Sequence, residues 1–103
     1  MNRGEVWWVE SAAGARRPHL VLTRDRAIPV LAAVLAVPAT TTVRGIPTEV
    51  PLDEDDGMPR ACALSLDNVV TVPLTRLATR ITTLGPARMR AVCEALAVAT
   101  GCD

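Results

Sequence analysis

The stretch Arg17-Pro18-His19-Leu20-Val21-Leu22-Thr23 decides the architecture, because it is a run of strand-forming residues with a proline near its start. Proline is tolerated at the first position of a strand, so we expect this strand to begin at Pro18. Residues 11–17 in front of it form a loop of small residues that ends in two arginines. Residues 5–9 before that loop again favour a strand.

Four further strands are expected downstream. Residues 30–37 are almost wholly apolar, and their alanine and leucine content is also compatible with a helix. Pro29 and Pro38 bracket this segment and valines recur within it, so we favour a central strand. Strands are also predicted at residues 48–52, 61–66 and 69–74, and the Asp67-Asn68 pair between the last two suggests a tight hairpin.

The apolar periodicity changes from strand to helix in the C-terminal part of the chain. Apolar side chains there share one helix face, at Met89, Val92, Cys93 and Leu96. Gly85 and Pro86 suit the start of this helix and Gly101 suits its end. Arg76–Arg80 is expected to add one short helical turn. About six strands followed by one helix predict a mainly β fold, a small antiparallel β-barrel.

Composition limits the class of protein. A chain of 103 residues is expected to form one domain, residues 1–103. Half of the residues are hydrophobic, yet Trp7 and Trp8 are the only aromatic ones, so Ala, Val and Leu must fill the core. No secretory signal is visible and no apolar run is long enough to span a bilayer, so we expect a cytoplasmic protein.

Charge is balanced overall but unevenly distributed. All 11 basic residues are arginine and they equal the 11 acidic ones, so no global field attracts nucleic acid. Between Ser11 and Thr48 the only acid is Asp25, and it stands among Arg16, Arg17, Arg24, Arg26 and Arg44. The acids concentrate at residues 49–56. This segregation fits a locally basic surface and fits an ordinary solvated face equally well.

Cysteine, histidine and acidic residues do not suggest a metal site. The chain has three cysteines, an odd number, and their spacing matches no zinc site. We expect buried structural thiols at Cys62, Cys93 and Cys102. The four acids of residues 53–56 lack the alternate spacing of a calcium loop and are expected to form a solubilising turn.

Arginines and hydroxyls are what remains for chemistry. Arg17 with Thr40, Thr41 and Thr42 can bind phosphate without a metal, because a guanidinium offers paired donors and hydroxyls both donate and accept. Threonine runs also simply favour strands. These residues by themselves do not identify an enzyme.

The order of six segments resembles the MazF/PemK family of toxins. Each segment alone is weak evidence, but together they cover nearly the whole chain in the order of the family. They are Gly4-Glu5-Val6-Trp7-Trp8-Val9, Arg17-Pro18-His19-Leu20-Val21-Leu22-Thr23, Val37-Pro38-Ala39-Thr40-Thr41, Gly45-Ile46-Pro47-Thr48-Glu49-Val50, Leu66-Asp67-Asn68-Val69 with Arg76-Leu77, and the closing helix from Leu84 to Leu96.

The resemblance implies an SH3-like β-barrel that forms a homodimer and cleaves single-stranded RNA without metal or cofactor. It also implies inhibition by a cognate antitoxin of the MazE type. The catalytic residues of the family fall on Arg17 and Thr40, and an RNA-binding surface would include Arg16, Thr41, Trp8 and Asn68. CcdB, a gyrase poison, shares the fold, so two alternatives stay open: a non-catalytic poison of a protein target and an inactive antitoxin-binding module.

The implied reaction uses the 2′-hydroxyl of RNA as nucleophile and leaves a 2′,3′-cyclic phosphate and a 5′-hydroxyl. Arg17 would stabilise the charge that grows on the non-bridging oxygens, and Thr40 would hold the phosphate. Two positions depart from the family. The first loop lacks the Glu or Gln that often precedes the arginine, and His19 stands where an apolar residue is usual. Trp8 either stacks on a base or lies in the core or a dimer interface.

Overall fold

The computed structural model describes residues 1–103 as seven β-strands and one α-helix. The strands are β1 (Glu5–Glu10), β2 (Arg16–Val21), β3 (Ala33–Thr40), β4 (Glu49–Leu52), β5 (Cys62–Ser65), β6 (Val70–Pro73) and β7 (Leu77–Thr83), followed by α1 (Pro86–Thr100). Short 3-10 turns lie between several of them. None of the helices is long and apolar enough to cross a membrane.

The strands form one antiparallel sheet in the order β4-β5-β3-β2-β1-β7. β6 pairs with the first half of β3, at Ala33–Ala36, while β5 pairs with its end, at Ala39 and Thr40. The outermost strands β4 and β7 do not pair with each other, so the sheet is barrel-like without closing. The expected mainly β fold with a C-terminal helix is confirmed.

The hairpin expected at Asp67-Asn68 is wrong. β5 pairs with β3 and β4, and β6 pairs with β3, so the two strands are not partners. The reason lies in the 3-10 turn Leu66–Asn68, whose Leu66 side chain is buried in the core. With this leucine buried, the chain continues to the first half of β3, at Ala33–Ala36, instead of turning back along β5.

The seventh strand was missed by the sequence analysis. The expected helical turn at Arg76–Arg80 lies earlier, at Leu74–Arg76, and Leu77–Thr83 is a strand that pairs with β1. Most of its side chains are exposed or half-buried and its pairing with β1 shifts register twice. Such a strand carries little of the alternation on which sequence prediction depends.

β2 begins two residues earlier than predicted, at Arg16. Gly14, at φ +84, allows a tight turn in which the Ser11 amide donates to the Ala15 carbonyl at 2.8 Å. The turn brings Glu10 opposite Arg16, and their side chains form an ion pair at 2.7 Å. Both arginines of the predicted loop therefore lie on a strand, which fixes the direction of their side chains.

The prediction of a central strand rather than a helix is confirmed by β3, whose bounds lie three residues later than predicted. Val30, the first residue of the predicted segment, ends a 3-10 turn at Ile28–Val30, and residues 31–32 come before the strand. Pro38 lies inside the strand instead of ending it, opposite His19 of β2. Because β3 pairs with β2, β5 and β6, it connects all parts of the sheet.

The main core lies between the sheet and α1 and contains only aliphatic and sulfur-bearing side chains, including fully buried Val6, Leu20, Leu64 and Val92. Gly85 and Pro86 begin the helix and Gly101 ends it at φ +72, as predicted. Cys62 is buried, as expected for a structural thiol. Cys93 and Cys102 are exposed, contrary to expectation, because the buried helix face is centred on Val92 and Ala95.

The acidic loop has a structural use beyond solubility. Asp53 caps the 3-10 turn Glu54–Asp56, and its backbone N–H donates to the Asp56 carboxylate at 3.0 Å. Asp56 also accepts from Arg88 Nε of α1 at 2.9 Å. The hydrogen bond from Arg88 holds the pKa of Asp56 below its ordinary value of 3.8. The loop is thereby attached to the helix.

Replacing Gly57 by alanine is expected to lower the free energy of unfolding by about 2–3 kcal/mol, from the cost of positive φ and a clash. Gly57 has φ +89, and a Cβ there would clash with the Thr82 side chain, at Oγ1 and Cβ. Gly45→Ala is the matched control, because Gly45 also has positive φ but open space around it. Urea unfolding measures both variants. Equal losses would show that the contact with Thr82 is unimportant.

Acid should weaken the fold through Asp56. The pKa of Asp56 is lower in the folded protein than in the unfolded chain. The ionised carboxylate therefore stabilises the fold above the unfolded-state pKa, and this stabilisation is lost as the pH falls through the folded-state pKa. Arg88→Met, which keeps much of the side-chain length, should reduce the loss of unfolding free energy on acidification. Arg90→Met, at an exposed position on the same helix, should not. The measurement is the urea midpoint of each variant across the acidic pH range. If the two variants lost stability equally, the role given to the contact between Asp56 and Arg88 would be refuted.

Candidate functional site

Three adjoining clefts meet at Arg17. We call them the Trp8 cleft, of about 330 Å³, the central cleft, of about 150 Å³, and the His19 cleft, of about 590 Å³. Arg17 lines all three, Thr40 lines the Trp8 and central clefts, and Asn68 lines the central and His19 clefts. The three clefts thus share Arg17, and together we call them the groove.

The register of β2 against β3 brings Arg17 and Thr40 together. The ladder pairs His19 with Pro38, and continuing it by two residues sets Arg17 opposite Thr40. Side chains directly opposite each other share one face of a sheet, with Cβ atoms about 5 Å apart. Arg17 is exposed and Thr40 is half-buried, so neither is sealed from solvent.

The Trp8 cleft contains much of the predicted RNA-binding surface. Trp8, Arg16 and Thr41 line it together with Arg17 and Thr40. Trp7, the residue before Trp8, lies on the other face of β1. It packs on the cluster of Val21, Ile28 and Val34, and its indole N–H donates to Glu5 Oε1 at 3.0 Å. The two tryptophans are thus divided: Trp7 belongs to the interior and Trp8 to the groove.

Polar side chains and backbone amides surround the central cleft. The Thr40 hydroxyl accepts from the Thr42 amide at 3.1 Å, and Asn68 Nδ2 donates to Ser65 Oγ at 2.7 Å. The Glu49 carboxylate accepts from the amides of Arg44 and Gly45 at 3.0 and 2.9 Å, which shapes the loop after β3. These bonds hold the hydroxyls and the Asn68 amide at the wall of the cleft.

Unpaired positive charge surrounds the groove. The three ion pairs of the chain use Arg16, Arg80 and Arg88. The other arginines of the groove have no carboxylate partner: Arg17, Arg44, Arg60 and Arg76. Arg16 also lines the groove, but Glu10 partly neutralises it. An open groove with four unpaired guanidinium groups is suited to a polyanion, despite the zero net charge of the chain.

Sequence reasoning found part of this basic surface and missed part. Arg16, Arg17 and Arg44 of the segregated segment line the groove, whereas Arg24 and Arg26 do not. Arg60 and Arg76 were not predicted as site residues. They enter from distant parts of the chain; Arg76 falls within a segment that resembles the family, but its place at the groove follows only from the tertiary structure.

A cysteine and the single histidine also line the clefts. No group of three or more His, Cys, Asp or Glu side chains is gathered in a way that would hold a metal. Cys62 lines the Trp8 cleft, but burial raises the pKa of its thiol, so it is a weak nucleophile near neutral pH. His19 lines a different cleft, so the two do not form a Cys–His pair.

The fold and groove define a class of bacterial toxins of known structure. The Mycobacterium tuberculosis toxin MazF-mt6 has a TM-score of 0.88 at 35% sequence identity, over 96% of this chain and 98% of that one. An endoribonuclease in complex with its cognate antitoxin, from a mycobacterial species, has a TM-score of 0.90 at 29% identity, over 100% and 97%.

Sequence comparison then identifies the family. The model of the PemK-like, MazF-like toxin of type II toxin–antitoxin systems matches residues 2–100, and the chain belongs to this family. The probable endoribonuclease MazF5 of M. tuberculosis is 50% identical over 102 residues, which are 98% of this chain and 94% of the relative. The predicted family is confirmed.

Proposed function

We propose that residues 1–103 form one toxin domain that cleaves single-stranded RNA as an endoribonuclease without a metal ion. The single observation that carries the proposal is the unpaired guanidinium of Arg17 at the junction of the groove, with Thr40 opposite it. The endoribonuclease names of relatives such as MazF5 and MazF2 support the reaction class.

The reaction begins with attack of the 2′-hydroxyl on the adjacent phosphorus. The P–O2′ bond forms and the P–O5′ bond breaks, which leaves a 2′,3′-cyclic phosphate and a 5′-hydroxyl. Arg17 stabilises the negative charge that grows on the non-bridging oxygens, and the Thr40 hydroxyl holds one of these oxygens. A guanidinium is a poor general acid and a poor general base, so Arg17 acts through its charge rather than by proton transfer. DNA binds without reacting, because it lacks the nucleophile.

RNA binds in the clefts that adjoin Arg17. Trp8 stacks on a base, Thr41 and Arg16 contact phosphate in the same cleft, and Asn68 contacts RNA from the central cleft. Because Glu10 partly neutralises Arg16, we expect the unpaired guanidinium of Arg60 to contribute more to binding than Arg16 does.

The partners we propose are single-stranded RNA, a second copy of the chain and a MazE-like antitoxin. A structural relative is described with its cognate antitoxin. An acidic antitoxin segment fits the groove for the same electrostatic reason as RNA, and it would exclude RNA by occupying the unpaired arginines. We place the protein in the cytoplasm, where free thiols such as exposed Cys93 and Cys102 stay reduced.

Loss of either proposed catalytic side chain should abolish most cleavage. Arg17→Ala and Thr40→Ala are each expected to lower kcat by about 10²–10³-fold, the usual cost of removing one donor that stabilises a developing oxyanion. The measurement is cleavage of varied single-stranded RNAs in EDTA, with mapping of the 5′-hydroxyl ends. Arg26→Ala is the matched control, because Arg26 is exposed and lines none of the three clefts.

The same assay separates the alternative functions. A wild-type protein that cleaves no RNA would reject the enzyme and leave the protein-target poison or the inactive antitoxin-binding module. Cleavage that is unchanged in Arg17→Ala would reject the site assignment while the family membership stands. Cleavage that requires a divalent ion would reject the metal-independent chemistry.

The two tryptophans should separate RNA binding from stability. Trp8→Ala is expected to weaken binding of a single-stranded RNA by about 1–3 kcal/mol, the value of one base stacked on an aromatic ring. Trp7→Ala should instead lower the free energy of unfolding, because Trp7 packs on buried residues. Fluorescence titration with RNA and urea unfolding of both variants test this. A Trp8 variant with wild-type affinity would show that the ring does not contact RNA.

A further inference from the structure

His19 lies next to the proposed catalytic centre. It is two residues from Arg17 on β2, so both side chains are on the same face of the sheet, and both line the His19 cleft. The imidazole is half-buried. Its strand partners at that position are Trp7 of β1 and Pro38 of β3, neither of which is ionisable.

The hydrogen bond of the imidazole selects its tautomer. Nδ1 of His19 is 3.0 Å from the backbone carbonyl oxygen of Arg17. A carbonyl oxygen only accepts, so Nδ1 must carry the proton and donate it. In the neutral ring, Nε2 then holds a free lone pair and can accept a proton.

We propose that His19 is the general base of RNA cleavage, with Nε2 taking the proton of the attacking 2′-hydroxyl. This inference rests on the endoribonuclease function proposed above. It gives the reaction a proton acceptor that Arg17 and Thr40 do not supply.

The proton balance of the step is complete. As the O2′–P bond forms, the 2′-hydroxyl proton moves to Nε2 of His19 and the ring becomes an imidazolium. As the P–O5′ bond breaks, the 5′ oxygen takes a proton from a water molecule in the open groove. The hydroxide left behind is neutralised by the imidazolium, which restores the neutral ring.

The environment of His19 keeps the ring neutral. Burial, aided by the charge of Arg17, lowers its pKa below the ordinary value of 6.5 and outweighs the opposing hydrogen bond to the Arg17 carbonyl. The other charged groups of its cleft are Arg16 and Glu10, which pair with each other, and Arg76 from the turn before β7. Two nearby unpaired arginines thus favour a neutral over a charged imidazole.

The carboxylates that line the groove are less suitable as bases. Glu10 is paired with Arg16 at 2.7 Å, and Glu49 is held by two backbone amides of the loop after β3. In both residues the contacts are made to Oε1, which ties each carboxylate to its own neighbours, Arg16 or the loop amides. His19 is the one histidine of the chain, and it alone combines a near-neutral ordinary pKa with a place beside Arg17.

The test is the pH dependence of single-turnover cleavage. For the wild type, the rate should rise with pH through an apparent pKa below 6.5 and then level off, because the neutral ring is the active form. His19→Gln should lower the plateau rate by about 10²–10⁴-fold and remove this acid limb. Arg17→Ala should lower the rate but keep the limb. Added imidazole should partly restore cleavage by His19→Ala.

Binding of an RNA with a 2′-O-methyl group at the cleavage site separates catalysis from structure. His19→Gln should bind it within about threefold of the wild type, since the base acts on a proton that this RNA lacks. An acid limb that persists in His19→Gln would overturn the proposal. A wild-type pH profile without such a limb would also overturn it, and this result does not depend on how well the variants fold. Wild-type protein that cleaves no RNA would instead overturn the endoribonuclease function itself.

Discussion

The antiparallel register between β2 and β3 is the constraint on which the rest of the molecule depends. Backbone pairing of His19 with Pro38 aligns the ends of the two strands, and the alignment sets Arg17 opposite Thr40. A slip of one residue would turn every side chain of β2 to the other face of the sheet and send Leu20 out of the core. The same burial of apolar side chains that stabilises the fold therefore positions Arg17 and Thr40, the proposed phosphate-binding groups.

β3 is central because three strands pair with it. β6 and β5 share its outer edge, and the 3-10 turn at Leu66–Asn68 marks the place where the sheet divides. That division opens the groove, because Asn68 and Ser65 come to the wall beside Thr40 instead of continuing a flat sheet. A simple hairpin at residues 67–68 would have removed this opening.

Electrostatics explains how a chain of zero net charge can bind a polyanion. The acids of residues 53–56 are used in a capped turn and in the contact with Arg88, at the helix rather than at the groove. Four arginines of the groove lack such partners. Local, unpaired charge rather than net charge thus governs the interaction, and higher salt should weaken it.

The sequence by itself determined the family, the antiparallel β class and the C-terminal helix, because local strand and helix patterns and the order of motifs are properties of contiguous residues. It also put forward Arg17 and Thr40 as the candidate catalytic pair. Tertiary structure alone decided that β7 completes the sheet, that β5 and β6 are not partners, and that Trp8 faces the groove while Trp7 faces the interior. It also decided that Arg60 and Arg76 join the site. These features depend on which distant segments share buried surface, and no window of neighbouring residues records that.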